Sequence, residues 1–436
     1  LTGGLQNIGR VPELQRRILF TFGMLAVYRL GAHIATPGID PQVIKSFFDQ
    51  MAGSVFGLFN LFSGGALEQL SIFALGIMPY ISASIIFQLL TIVIPSLEQL
   101  QKEGEQGRRK ITQWTRYATV VIALFQSTLL AIALENGQFG EGAVASPGWP
   151  FRLMVAMTLT TGTAFIMWLG EQITERGIGN GISLVIFAGI IVGLPGALGT
   201  LWEQVRTDQF TVLGAILLLV FVAAFTGFVV LCERAQRRIP IQHARRVVGR
   251  KVMQGGMSYF PLRLNTAGVI PPIFASSILM FPLTITQFID SPTVSNFFSD
   301  YLNYGSALYN AIYVALIIFF AFFYTAIVIN PVDVADNIKR SGAYIPGIRP
   351  GKRTSEYIDR ILGRLTLIGA VYVSVVCVMP VLLSNQAGVP FYFGGTALLI
   401  VVGVALDTIG QIEAHLVSRQ YEGFVKGTRI RGRLGR

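Results

Sequence analysis

Charge is scarce in this sequence: Asp, Glu, Lys and Arg together make up 13% of 436 residues, about half the share a soluble domain carries. With 52% apolar residues beside it, that shortage excludes both a soluble multi-domain protein and a solvated disordered chain. Histidine and cysteine are rarer still, three and two residues, too few for a disulfide framework or a zinc cluster. Cys232 and Cys377 lie beside or inside apolar runs and are expected to be buried thiols. Length alone suggests about three soluble domains, but this composition points to one membrane-embedded body. What charge exists is lopsided, with 34 basic against 23 acidic residues and a net +11.

Ten runs are apolar and long enough to cross a bilayer, which takes about 17–25 helical residues. They are placed at 18–35, 70–94, 117–134, 153–170, 182–201, 210–232, 267–289, 307–330, 365–383 and 392–410. The first run is too long for the core of a cleavable signal peptide, and no small-residue cleavage site follows it. Thirty Lys and Arg fall in segments on the side of the N-terminus, three (Lys45, Arg152, Arg206) on the other, and Arg29 inside the first run. Cytoplasmic loops retain such charge, so both termini are expected to be cytoplasmic. Five runs stand on each side of a short Pro/Gly-containing loop at 193–209, and an odd number per half means that the halves cross in opposite directions. Such inverted halves commonly enclose a transport pathway. The expected organisation is a first half over 1–194, a hinge loop over 195–209, a second half over 210–410 and a basic tail over 411–436.

Inside the ten runs only Arg29 and Asp407 are charged. Ion-coupled transporters need buried carboxylates or histidines for the coupling ion, so a secondary transporter is disfavoured. Intramembrane hydrolysis is disfavoured too, because no paired Asp, Ser–His pairing or HExxH occurs. The run from Gly347 to Arg353 has one residue too few between its glycines for a phosphate loop, and Arg353 stands where a hydroxyl would hold magnesium. Gly177, Gly179 and Gly181 miss the dinucleotide spacing, because Ile182 stands in the third glycine's place; they read as a tight turn. No cofactor is expected, and any work done on a substrate must be powered by a partner.

Four features call for a pathway or a partner. Residues 51–67 are apolar, glycine-rich and uncharged, yet too broken for a span. They are either an interfacial helix or a re-entrant piece shielded at membrane depth. Ile77 and Ile81, and likewise Ile182 and Ile186, are spaced i, i+4 and share a helix face, as ordinary packing residues also do. Pro271 and Pro272 open the seventh run and Pro282 interrupts it, permitting a kink. The long segments 233–266 and 331–364 carry eight and seven basic residues. Orientation and lipid attraction account for charge near span ends, but Arg-rich loops of this length also suit a large anionic partner.

The chain resembles the SecY family of protein-translocation channel subunits. The resemblance rests on seven blocks in order: GLFNLFSGGAL (57–67), GIMPYISAS (76–84), KEGEQGRRK (102–110), WLGEQITERGIGNGIS (168–183), AGVIPPIFASS (267–277), SGAYIPGIRPG (341–351) and VPFYFGGT (389–396). It implies an all-α membrane protein of ten transmembrane helices, in two inverted five-helix halves around a central pore with a re-entrant plug helix. The implied pore ring is Ile77, Ile81, Ile182, Ile186, Ile273 and Ile400. The implied plug spans about 54–67 and includes Phe56, Gly57, Leu58, Phe59, Asn60, Leu61, Phe62, Ser63, Gly64 and Gly65. Gln126 and Asn265 match polar positions of a lateral gate, through which a signal helix reaches lipid.

A short apolar constriction resists ions by dewetting, yet offers no fixed charge that would select among passing side chains. The resemblance further implies SecE and SecG as membrane partners, and the motor ATPase SecA and the ribosome at the basic loops. Arg245, Arg246, Arg250 and Lys251 fall in one contact region, Arg349, Lys352 and Arg353 in the other. Signal peptides, unfolded secretory chains and membrane lipids complete the implied partners. The implied location is the cytoplasmic (inner) cell membrane, the role that of a channel subunit and not of an enzyme.

Overall fold

The computed structural model describes residues 11–50, 60, 63–137, 139–140, 142–208, 210–243, 246–248, 251–253, 256–286, 306–387 and 394–427. The described residues are mostly helical. The order is α1 (Pro12–Gly31), α2 (Pro41–Gln50), α3 (Met78–Val93), α4 (Pro95–Lys102), α5 (Glu105–Glu135), α6 (Trp149–Arg176), α7 (Gly181–Arg206) and α8 (Val212–Arg234). Strands β1 (Gln236–His243), β2 (Arg246–Val248), β3 (Lys251–Met253) and β4 (Met257–Arg263) follow. Then come α9 (Ile270–Thr286), α10 (Ala307–Val328), α11 (Pro331–Arg340), β5 (Ala343–Tyr344), α12 (Lys352–Ala387) and α13 (Gly395–Gly427).

Among the described residues, seven helices are long and apolar enough to cross a membrane, or eight with the bent pair α3–α4 as one span. Each of the ten expected runs overlaps a helix. The two left over are α1, which carries Glu13, Arg16, Arg17 and Arg29 within its 20 residues, and α9, whose described apolar stretch, Ile270–Leu279, is short. This is a multi-pass membrane protein.

Three expectations change. The hinge loop at 195–209 is mostly helix, because α7 runs through Pro195 to Arg206; a proline removes one donor and need not end a helix in apolar surroundings. The second span is not helical from residue 70: residues 64–77 form successive turns and helix begins at Met78. Leu70 and Gly76 take positive φ there (39° and 55°), which ends any helical run. Of the two thiols, Cys377 is buried but Cys232 is only half-buried.

The described chain divides into two compact units, Leu1–Gly196 with Val404–Arg436, and Ala197–Gly403. In the first, the turn after α6 is tied down from two sides. Thr21 Oγ1 accepts the Ile178 N–H (3.1 Å) and Gln411 Oε1 accepts the Gly179 N–H (3.0 Å), while Leu14, Ile178 and Leu416 pack together. In the second, an antiparallel hairpin pairs β1 with β4 from Gln236↔Arg263 to Gln242↔Met257, and β5 adds to β1 through Gln242↔Tyr344. Alternation sets its buried face: Ile239 and Ile241 point inward with Leu262, against Ile338, Ile345 and Ile358. Among the described residues, this small sheet and the short β2–β3 pair are the additions to an otherwise helical fold.

Candidate functional site

The segment before α3 has little ladder or helix to satisfy its backbone, so it uses turns and side chains instead. The Gly65 N–H donates to Asn60 O (2.9 Å) and the Ser71 N–H to Ala66 O (2.9 Å). Asn60 Nδ2 donates to Glu68 Oε2 (3.1 Å), and Asn60 Oδ1 accepts the Glu68 N–H (3.0 Å). Ser63 Oγ donates to Asn60 O (3.0 Å) and accepts the Leu67 N–H (3.2 Å). Two bonds arrive from α1: the Tyr28 hydroxyl donates to Ser63 O (3.0 Å) and the Arg29 guanidinium to Gly64 O (2.7 Å). The segment lies deep, with Ala66, Leu70 and Ser71 at 1% exposure or less. Of the expected plug residues, Asn60, Ser63, Gly64 and Gly65 are seen here; Phe56, Gly57, Leu58, Phe59, Leu61 and Phe62 lie outside the described residues.

Neighbouring helices are cut back to admit this segment. A Cβ at Gly162 of α6 would fall 1.8 Å from Ile72 O, and one at Gly31 would strike the Phe73 ring. Phe73 in turn stacks between Tyr28 (centroids 5.9 Å) and Phe165 (6.0 Å). Gly64, at φ +68°, would place a Cβ 2.8 Å from the Gly189 Cα, so backbone meets backbone where α7 passes.

The isoleucines follow. Ile77 caps α3 and Ile81 lies one turn on, its N–H donating to Ile77 O (3.1 Å); both are buried. On α7, Ile186 is buried and Ile182 half-buried, the latter close under Gly170 of α6. In the second unit, Ile400 is buried on α13 and Ile273 half-buried on α9. Ile273 O accepts the hydroxyls of Ser276 (2.9 Å) and Ser277 (2.8 Å), so both serines are paired within α9.

Asn265 sits where β4 gives way to α9 and is buried. Both of its amide donors are spent within the second unit, on Glu233 Oε1 (2.8 Å) and Gly268 O (3.0 Å). Glu233, the lone acid of its loop, was not among the expected site residues, although that solitude was the signal. Gln126 is half-buried on α5. Tyr28, Gly189 and Gln411 were likewise unforeseen, since their partners are remote in sequence, and so was Glu68, whose partner Asn60 is eight residues away.

The basic surface is built on the hairpin and on the tip after β5. Arg349, Lys352 and Arg353 are all exposed. The tip is fixed by Gly347 and Gly351 at positive φ (80° and 107°), and by buried Thr354, whose hydroxyl donates to Arg349 O (3.0 Å). Arg246 and Lys251 fall on the paired strands β2 and β3, while Arg245 and Arg250 lie outside the described residues. Among the described residues, no three His, Cys, Asp or Glu side chains gather as metal ligands would.

The SecY family profile matches residues 71–409. The protein translocase subunit SecY of Escherichia coli (strain K12) is 51% identical over 97% of this chain and 96% of its own. That of Aquifex aeolicus is 45% identical over 97% and 99%. The chain belongs to the SecY family. Solved structures with the same fold include one reported as the structure of a protein conducting channel, at TM-score 0.62 and 18% identity, covering 97% of this chain and 95% of that one. Sec61 in the canine ribosome-channel complex aligns at TM-score 0.61 and 16% identity, with the same coverage.

Proposed function

We propose that this chain is the pore-forming subunit of a protein-conducting channel, which moves signal-bearing unfolded polypeptides across a membrane and releases apolar segments sideways into lipid. The observation that carries the reading is the non-helical stretch 64–77, held by turns and side chains among apolar helices and leading into buried Ile77 and Ile81. Irregular backbone survives among membrane helices only where protein or a water cavity shields it, as a stopper in a pathway would be. Near-full-length identity to translocase subunits supports the same reading.

Ile77, Ile81, Ile182, Ile186, Ile273 and Ile400 form the apolar waist in this proposal. Uncharged branched side chains yield to a threaded chain and close behind it, and an apolar throat sheds water and ions between passages. The lateral gate runs past Gln126 and Asn265. Asn265 acts there by exchanging Glu233, because its donors are engaged.

The channel itself is passive. Force comes from SecA or a translating ribosome docked on the surface of Arg245, Arg246, Arg250, Lys251, Arg349, Lys352 and Arg353, with SecE and SecG as membrane partners. Relatives by fold include Sec61 and Ssh1 complexes solved with ribosomes, which supports a ribosome as partner. In this reading both termini lie in the cytoplasm, which the basic segments on their side favour, and the protein sits in the inner cell membrane.

The experiment is reconstitution with SecE, SecA and ATP, followed by protease protection of a signal-bearing precursor inside vesicles. Replacing several of the six isoleucines by Gly should raise resting ion leakage in the same vesicles. Unchanged leakage in a folded variant refutes the waist, and no protected precursor refutes the channel.

A further inference from the structure

Arg29 is one of only two charged residues inside the ten apolar runs, and burying charge among membrane helices is expensive enough to require a reason. Its guanidinium donates to Gly64 O at 2.7 Å, in a part-buried site. The preceding residue, Tyr28, is 2% exposed and donates to the adjacent carbonyl, Ser63 O, at 3.0 Å. Two neighbouring residues of one helix therefore hold two neighbouring carbonyls of the glycine-rich segment. Ser63 is helical and Gly64 opens the turns that follow, so both carbonyls sit where the segment read as the plug gives way to turns.

The surroundings make the grip directional. Behind Gly64 stands the Gly189 backbone, too near for any Cβ, so this turn is pinned between α7 and the two donors of α1. Tyr28 is itself fixed by stacking on Phe73 at 5.9 Å and 12°. On the far side, Asn60 and Glu68 close the loop with two reciprocal bonds. Freeing the segment thus means breaking one neutral and one charge-assisted bond to α1, the charge-assisted kind being about twice as strong.

We infer that Tyr28 and Arg29 form a latch, a pair of positioning residues that hold the base of the plug against α1 and bias the resting channel towards the shut state. The inference rests on the channel reading above and deepens it, since nothing in that reading requires α1 to contribute. The latch acts on the plug alone and leaves the pore wall untouched.

The test measures single-channel currents of the complete reconstituted complex, at rest and after addition of a signal-bearing chain. Tyr28→Phe keeps the stacked ring and deletes only the donor; Arg29→Gln deletes the charge; Arg29→Lys keeps it. Resting open probability should rise about fivefold in Tyr28→Phe and about tenfold or more in Arg29→Gln, with Arg29→Lys between the latter and the native protein. Open-pore conductance should not change in any of them. Native resting behaviour in both Tyr28→Phe and Arg29→Gln overturns the latch, as does an altered open-pore conductance, which would put these side chains in the pore wall. If Arg29→Gln fails to assemble, Tyr28→Phe decides alone. A native protein that never conducts sinks the channel reading and the latch together, whereas one that conducts beside unaltered variants sinks only the latch.

Discussion

Residues 64–77 and residues 235–264 both abandon the helix, one wrapped by apolar helices and the other carrying exposed charge. The second stretch pairs its backbone along a β1–β4 ladder and buries alternate side chains on one face. Its polar groups can also turn to water where the ladder ends. The first has only an isolated bridge, Ala35↔Ser71, and it lies buried. Its carbonyls and N–H groups are met by turns, by Asn60 and Ser63, and by Tyr28 and Arg29. In apolar surroundings irregular backbone costs dedicated side chains; outside them a sheet suffices.

The sharpest way to break this comparison is Gly64→Ala. Positive φ and collision with Gly189 should cost about 3 kcal/mol, and resting open probability should rise about a hundredfold, read in planar bilayers. An unaltered resting current would show that the turn is not held tightly. Ile358→Ala strikes the other region, at a fully buried position under the hairpin. It should cost roughly 2–4 kcal/mol and speed hydrogen exchange in β1 and β4 while leaving resting current alone; increased leakage would mean that the two regions are not independent.

Arg349→Glu reverses charge on the exposed tip without touching packing. If the proposed docking surface holds, SecA-driven transport into vesicles should fall about tenfold while membrane insertion persists, and equal rates would remove Arg349 from that proposal. The smallest effect is expected from Arg116→Gln, which breaks the 2.6 Å pair with Glu171. Surface pairs are worth about 1 kcal/mol or less, so Tm should move by about 2 °C at most.

The helices were legible because lipid imposes long apolar runs, and each expected run overlaps one. Their polar extensions were not: residues 105–116 and 352–364 continue α5 and α12 outside the apolar stretch, where hydropathy carries no signal. The β1–β4 hairpin was hidden because its arginines masked the alternation of Ile239, Ile241 and Leu262. In the site, the isoleucine pairs showed a shared face, but only resemblance gave that face a role. Arg29 stood out as a lone intramembrane charge, yet its partner lies 35 positions away, and Tyr28 gave no signal at all. Spacing along one helix reveals a face; it says nothing of the loop that face will meet.

The 100° elbow between α3 and α4 has a mechanical corollary. A plain apolar rod is held along the bilayer normal only by the mismatch at its two ends, fractions of a kcal/mol per Å. α3 ends instead in a short foot, with Leu97 tucked in and Glu98 and Lys102 facing out as an ion pair. Such a foot rests at the water boundary and cannot be drawn through it, so the elevation of Ile77 and Ile81 is set from below by this footing.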